Sequence, residues 1–262
     1  ALCGIDAPPY MQGHNFLDQK NKREWVYGAR DRVDEVFDCS RSIRNNRWLY
    51  IRNYHPFLGW NQPSVFSDLG EIRNEITNFS INTGTLFSSE QNHYTSPERA
   101  TIEFYDCLAD PDNTHNLALG KLSPTQQVSL EKAQRAFKRI RKKTRDVGCL
   151  PEGVMADLVN KNGESIADLA RNGKLKLDQI WDVADSVGRD TESALNFLKS
   201  ADPSISFWII NALKASLPSD KNNDEAFRYV TQTAHVEASI EAAAWLAGES
   251  RYSEKAIQVL IN

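Results

Sequence analysis

Hydrophobic and polar positions follow two different rhythms along this chain. Glu24 to Arg30 (EWVYGAR) concentrates aromatic and β-branched residues and predicts a strand. Ser40 to Asn53 (SRSIRNNRWLYIRN) predicts a hairpin turning at Asn45-Asn46, because Asn tolerates the left-handed backbone of tight turns. In the second arm Leu49, Ile51 and Asn53 fall on one face and Trp48, Tyr50 and Arg52 on the other. Large residues on both faces predict a sheet covered on both sides. Asp68 to Phe79 reads as a short helix and Thr101 to Cys107 (TIEFYDC) as another strand. Asp110-Pro111-Asp112-Asn113 then has the Asp-Pro opening of a type I turn.

The rhythm changes after Ser123-Pro124, a helix-start signal. Leu130, Ala133, Phe137, Ile140 and Thr144 recur at three and four residues, which predicts an amphipathic helix with its basic residues outward, ending near Gly148. From Glu164 onward short helices are expected over Ile166 to Arg171, Leu177 to Val187, Thr191 to Lys199, Ile205 to Leu217, Glu225 to Thr233 and Ala238 to Leu246. The segment from Ile205 to Leu213 aligns with that from Ser239 to Leu246 at a shift of about 33 residues, within the period of helical repeats. With the Asp202-Pro203 turn before the first copy, this pattern resembles HEAT repeats.

Length allows two cores, since 262 residues exceed one ordinary domain. A formal charge of -4 gives no global attraction to nucleic acid or anionic lipid. Charge is concentrated locally, however: eight basic residues and no acid lie between Lys132 and Arg145. Without aromatic interleaving, that helix does not predict a nucleic-acid binder. The longest apolar stretch, Ile205 to Leu217, is interrupted by Asn211 and Lys214 and is too short to span a bilayer. The chain opens at Ala1 and stops at Asn262 within an apolar helical run that carries no stop signal, so both ends are expected to be cuts in a longer protein.

Spacing tests for catalytic chemistry mostly return absences. Cys3, Cys39, Cys107 and Cys149 form no Cys-x-x-Cys pair, and Cys39 stands one residue out of register with Arg44 for a phosphate-cradling loop, so it is expected to be a buried structural residue. No Gly-x-Ser-x-Gly elbow, His-Glu-x-x-His helix or phosphate-binding glycine loop occurs. Asp106, Asp110 and Asp112 lack the remaining ligands of a calcium loop, and the five His residues are scattered. Hence no catalytic residue and no metal ligand is assigned. The purposeful segment follows the hairpin: Arg52, Asn53, Tyr54 and His55, then Trp60-Asn61-Gln62. A guanidinium, an amide, aromatic faces and an imidazole suit an anionic sugar, with Arg gripping sulfate or carboxylate and an aromatic ring stacking on the sugar. They equally suit a packed strand end with Arg paired to a carboxylate.

The order of several segments is more specific than any of them alone: Met11-Gln12-Gly13-His14-Asn15-Phe16-Leu17, Arg30 to Glu35, Ser42 to Tyr54, Phe104-Tyr105-Asp106, Asp110-Pro111 and Asn116-Leu117-Ala118. This order, over about residues 1–150, resembles the carboxy-terminal part of type I sulfatases, of the heparan-N-sulfatase or arylsulfatase kind in bacteria. Thr144 to Glu152 resembles the passage of some members into helical repeats. The resemblance implies an α+β fold: a sulfatase C-terminal subdomain over 1–150, with a small antiparallel sheet and a packed helix, then an all-α HEAT-like solenoid start over 151–262. It implies the alkaline phosphatase-like superfamily, a periplasmic or extracellular site of action, and hydrolysis of a sulfate ester or sulfamate by a formylglycine with calcium. Both of those groups belong to an upstream domain, because no Cys or Ser here stands in a Cys/Ser-x-Pro-x-Arg motif. Partners implied are that catalytic domain and a sulfated glycan or small sulfate ester, with Arg52, Asn53, Tyr54, His55 and Trp60 as substrate-rim candidates. The rival expectation is a helical-repeat module that holds a protein partner or a sulfated polysaccharide through its repeats and the basic helix.

Overall fold

The computed structural model describes residues 4–6, 8, 10, 11, 13, 15, 17, 22–83, 88–189, 202–216, 220–232, 235–249 and 251–261. Strands β1 (Val26–Arg30), β2 (Ser40–Arg44), β3 (Trp48–Asn53) and β4 (Ile102–Asp106) form an antiparallel sheet in the order β1-β2-β3-β4. The β2-β3 turn forms where expected but by another device. Asn45 Oδ1 accepts the backbone N–H of Arg47 at 2.9 Å and of Trp48 at 2.7 Å, and Asn45 N–H bonds Trp48 O at 3.0 Å. Neither Asn45 nor Asn46 has a positive φ, so the side chain and not a left-handed backbone closes the turn. β4 is registered on β3 by Cys107 N–H to Arg47 O at 2.7 Å and by Asn53 N–H to Thr101 O at 2.9 Å.

Chain contacts separate two compact units. The first comprises Ala1–Gly28, Arg41–Ile51 and Glu103–Thr144. Its long helix α4 (Pro124–Thr144) begins with a reciprocal cap, in which Ser123 N–H bonds Gln126 Oε1 at 2.8 Å and Gln126 N–H bonds Ser123 Oγ at 3.4 Å. Ala133, Ala136 and Phe137 form its buried face. Phe137 meets Tyr27 and Tyr50 at ring separations of 5.8 and 5.3 Å, and Trp48 stacks on Phe104 at 4.9 Å. Of the eight basic residues, Arg141 departs from the outward expectation: it is buried, with its guanidinium over Phe137 at 5.4 Å. The helix also stops at Thr144, short of Gly148, because Arg145 takes a left-handed backbone at φ 54°.

The second unit comprises Ala29–Ser40, Arg52–Ile102 and Arg145–Asn262. Short helices α1 (Val65–Asp68), α2 (Glu71–Thr83) and α3 (Ser89–Thr95) precede β4. The expected single helix over Asp68 to Phe79 is thus broken and begins later. After α4 come α5 (Glu152–Asn162), α6 (Ile166–Arg171), α7 (Leu177–Ala184), α8 (Pro203–Lys214), α9 (Asp220–Gln232), α10 (Val236–Leu246) and α11 (Ser253–Ile261). α5 was not foreseen, although Gly163, left-handed at φ 66°, is its stop signal. The helix expected over Thr191 to Lys199 lies outside the described residues.

The centre of this unit is α8, capped by Asp202, whose Oδ1 accepts Ser204 N–H at 3.0 Å, and started by Pro203. Every residue from Ser204 to Leu213 is buried, because α8 packs on α7 and on α10, which in turn packs on α9 and α11. A helix apolar on all sides needs neighbours on all sides. Among the described residues no helix is long and apolar enough to cross a membrane.

Candidate functional site

Where β3 ends, the second unit collects the residues singled out above. Arg52 is 1% exposed, and its guanidinium donates to Thr101 O at 3.2 Å, Asp185 O at 3.1 Å and Val187 O at 2.5 Å. It thereby satisfies carbonyls left open where α7 ends, and its positive charge complements the negative end of the helix dipole. Asn53 is also buried; its Nδ2 donates to Ala100 O at 2.7 Å and its Oδ1 accepts from Ser40 Oγ at 2.7 Å. Tyr54 lies between Trp181 and Trp208, at ring separations of 5.1 and 5.7 Å, and its hydroxyl donates to Asp185 Oδ1 at 2.9 Å.

His55 differs from these three. It is 1% exposed and stacked on Trp208, with rings 5.4 Å apart and planes inclined by 16°. Phe37 stands at 4.9 Å, Phe57 at 5.6 Å and Phe207 at 6.3 Å. Neither ring nitrogen has a hydrogen-bond partner. Burial among these rings pushes its pKa from the ordinary 6.5 down to about 3; Asp38 opposes this, while Arg99 and Lys214 add to it. The imidazole is neutral at pH 7.

Beside it Asp38 and Arg99 form a fully buried pair, Arg99 Nη1 donating to Asp38 Oδ2 at 2.9 Å and Arg99 Nη2 to Oδ1. Arg30 Nε reaches Asp38 Oδ2 at 3.3 Å from the partly exposed side. Trp60 lies beneath two of these cations, with Arg99 4.6 Å and Arg30 5.6 Å from its ring centroid.

Two cavities of the second unit border this cluster. The larger, about 490 Å³, is walled by Phe37, His55, Phe207 and Trp208, by Cys39, Val147, Leu150, Met155 and Ile240, and, among the described residues, by six carboxylates and Arg32. The smaller, about 340 Å³, is lined by Arg30, Trp60, Asn61, Gln62, Arg73 and Tyr94 among others. Trp60 Nε1 and Gln62 Nε2 are buried there with no hydrogen-bond partner among the described residues. Ion-paired carboxylates border the larger cavity, and Arg30 and Arg73 border the recess.

The structure thus brings His55 to the first cavity and Trp60 to the second, while Arg52, Asn53 and Tyr54 are spent on backbone carbonyls and on Ser40 and Asp185. Sequence reasoning missed Asp38, Arg99 and Trp208. Asp38 sits at an ordinary position and meets Arg99 across 61 residues, a pairing for which no local spacing gives a signal. The three described cysteines are buried and form no disulfide, Cys39 Sγ lying 3.7 Å from Gly148 O, in keeping with a structural role. The carboxylates weighed for calcium are used locally: Asp106 takes a bidentate bond from Arg47, and Asp110 accepts from Thr114 and His115 N–H. Among the described residues no group of three metal-ligating side chains occurs.

No family model matches the chain. Over 182 residues, 68% of its length, it is 30% identical to the ulvan-active sulfatase of Formosa agariphila, and the matched stretch is 29% of that protein. The chain is therefore related to a sulfatase, and it spans less than a third of that relative's length.

Proposed function

We propose that this chain is the carboxy-terminal part of a sulfatase, shaping the edge of a substrate pocket whose bond-breaking groups lie in an upstream catalytic domain. The single observation that carries the reading is the 182-residue match to a sulfatase, over a stretch that is only 29% of the relative. The sheet with its packed helix is the architecture the resemblance implies for the subdomain over 1–150, and the run of helices from α5 to α11 supports a HEAT-like continuation over 151–262.

Within this reading Arg30, Trp60 and Tyr94 are the substrate-facing residues. The partly exposed Arg30 presents its guanidinium to sulfate or hydroxyl oxygens, and Trp60 and Tyr94 offer ring faces to a sugar. Arg52, Asn53 and Tyr54 serve as scaffold: they fix the strand end from which the loop carrying Trp60 departs. His55 is buried in the wall of the larger cavity and is not placed at the substrate edge. The described residues do not fit calcium or a formylglycine, so no chemical step is assigned to this chain.

The test is an assay with 4-nitrophenyl sulfate and with a sulfated oligosaccharide, calcium present, on this chain and on the whole protein its gene encodes. Turnover by the whole protein and none by the chain is the expected result. Hydrolysis by the chain alone would show that its chemistry had been misplaced.

A further inference from the structure

We propose that the outer face of α4, in the first unit, is a docking surface for a sulfated polysaccharide. Charge is divided unevenly between the two units. The first holds fourteen Lys and Arg against eight Asp and Glu, and the second seventeen against twenty-seven, so a formal charge of -4 for the chain separates into +6 and -10. Within the first unit the excess gathers on one helix, because α4 carries seven cations and a single acid, Glu131.

The helix sorts these cations by face. At about 100° per residue, Lys132, Arg135, Lys138, Arg139, Lys142 and Lys143 fall within about 140° of the circumference and extend over about 16 Å of its length. All six are exposed, whereas Arg141, outside that arc, is buried. Two of the six are answered by carboxylates: Lys132 pairs with Glu24 at 2.6 Å, and Arg135 lies 3.8 Å from Glu131. Arg139 and Lys143, one turn apart, have no ion-pair or hydrogen-bond partner among the described residues. Lys142 and Lys143 also complement the negative end of the helix dipole, but that effect is confined to the last turn and does not account for the four cations before it.

A row of like charges attracts a polyanion by releasing the counterions condensed on it, and the chemistry of this face selects among polyanions. α4 has no aromatic residue besides the buried Phe137, so it offers nothing on which nucleic-acid bases stack. Its apolar side, with Phe137 against Tyr27 and Tyr50, is taken up by packing within the unit and cannot enter a lipid interface. Cations at intervals along a straight row suit sulfate groups repeated along an extended chain, and Arg135 and Arg139 add forked donors. The choice of a sulfated polymer rests on the proposed function. The surface itself consists of residues other than those of the recess, and its role is to retain the polymer.

The test measures binding of the chain to fluorescein-labelled heparin by anisotropy in about 50 to 200 mM NaCl. Polygalacturonate, a single-stranded thymidine oligonucleotide, and vesicles of phosphatidylserine and phosphatidylcholine in equal parts serve as comparison probes. Heparin is expected to bind most tightly, with affinity falling at least tenfold across that range of salt. Arg139→Glu with Lys143→Glu should weaken heparin at least tenfold and leave Tm unchanged. Arg139→Gln with Lys143→Gln, which introduces no acid, should weaken it about threefold or more and keeps the test open if the first variant is unstable. Lys161→Glu with Lys176→Glu, the same change of charge on exposed residues of the second unit, should alter it less than about twofold. No saturable heparin binding, equal losses in the two Glu variants, or any comparison probe binding as tightly as heparin would each overturn the assignment. Sulfatase turnover by the whole protein is read separately: turnover without a heparin loss in Arg139→Glu with Lys143→Glu sinks this inference alone, and that loss without turnover sinks the proposed function alone.

Discussion

His55 lies flat against Trp208, 5.4 Å from ring to ring, with neither imidazole nitrogen hydrogen-bonded. The contact holds only while the imidazole is neutral, because a charged ring in that chamber would lose its hydration and gain no partner. Its pKa of about 3 in the folded protein lies below the ordinary 6.5, so between these values the unfolded chain binds the proton and the folded chain does not. Stability from this site is complete above pH 6.5 and is lost as pH falls toward 3, with a limiting slope of about 1.4 kcal/mol per pH unit. Urea denaturation at pH 7.5, 6, 5 and 4 should show the wild type losing stability faster than His55→Phe. Equal slopes for the two proteins would mean that His55 is not held neutral.

Asp38 and Arg99 are each fully buried, and they neutralise one another in the interior of the second unit. Asp38 also accepts the N–H of Cys39 at 2.7 Å, so its charge is bound to the backbone as well as to the guanidinium. Removing one partner strands a buried charge. Arg99→Met or Asp38→Asn should each cost about 3–5 kcal/mol, whereas the double variant should cost clearly less than the sum of the two. A double-mutant cycle by chemical denaturation measures this, and additive losses would show the pair to be uncoupled.

The sheet and the later helices were legible because they rest on local rules. Aromatic and β-branched enrichment pointed to β1, the alternating faces to β3, and the three-and-four spacing of Ala133, Phe137 and Ile140 to α4. The turn expected at Asp202-Pro203 is the cap and first residue of α8, which begins two residues before the expected Ile205 and ends at Lys214. What was not legible depends on partners distant in sequence. Nothing near Arg141 shows that it would turn inward onto Phe137, and nothing near Asp38 announces Arg99. For the candidate site, the cluster from Arg52 to His55 stood out by composition alone, but composition does not distinguish a ligand contact from a buried scaffold. The deciding facts were the carbonyls of Asp185 and Val187, more than 130 residues further along the chain.

Arg52 offers a test of this scaffold role. Its planar fork serves three carbonyls at once, a geometry that a single ammonium does not reproduce. Arg52→Lys should therefore destabilise by about 2 kcal/mol in spite of the retained charge, and Arg52→Met by about 3 kcal/mol or more, because buried carbonyls lose their donor. Thermal and urea unfolding of the three proteins give the comparison. A fully stable Arg52→Lys would show that the charge suffices and that the forked contacts contribute little.

The recess lined by Arg30 and Trp60 makes a separate prediction about the full-length protein, which rests on the proposed function. Trp60 Nε1 and Gln62 Nε2 have no partner among the described residues, so removing either N–H leaves no newly orphaned group behind. Trp60→Phe keeps an aromatic face beside Arg99 and Arg30 but loses the indole N–H and part of the ring area. Gln62→Leu similarly keeps the bulk of the side chain. Contacts at a substrate edge, away from the reacting sulfur, bind ground state and transition state alike, so their loss should raise KM with kcat unchanged. Loss of stacking area and of the recess's shape is expected to raise KM severalfold, equivalent to about 0.5–1.5 kcal/mol. For a small aryl sulfate, too short to reach the recess, KM should not move. Steady-state kinetics of the full-length protein on a sulfated oligosaccharide and on 4-nitrophenyl sulfate separates the cases: a KM rise confined to the oligosaccharide places the recess on the substrate path, and unchanged kinetics on both removes it.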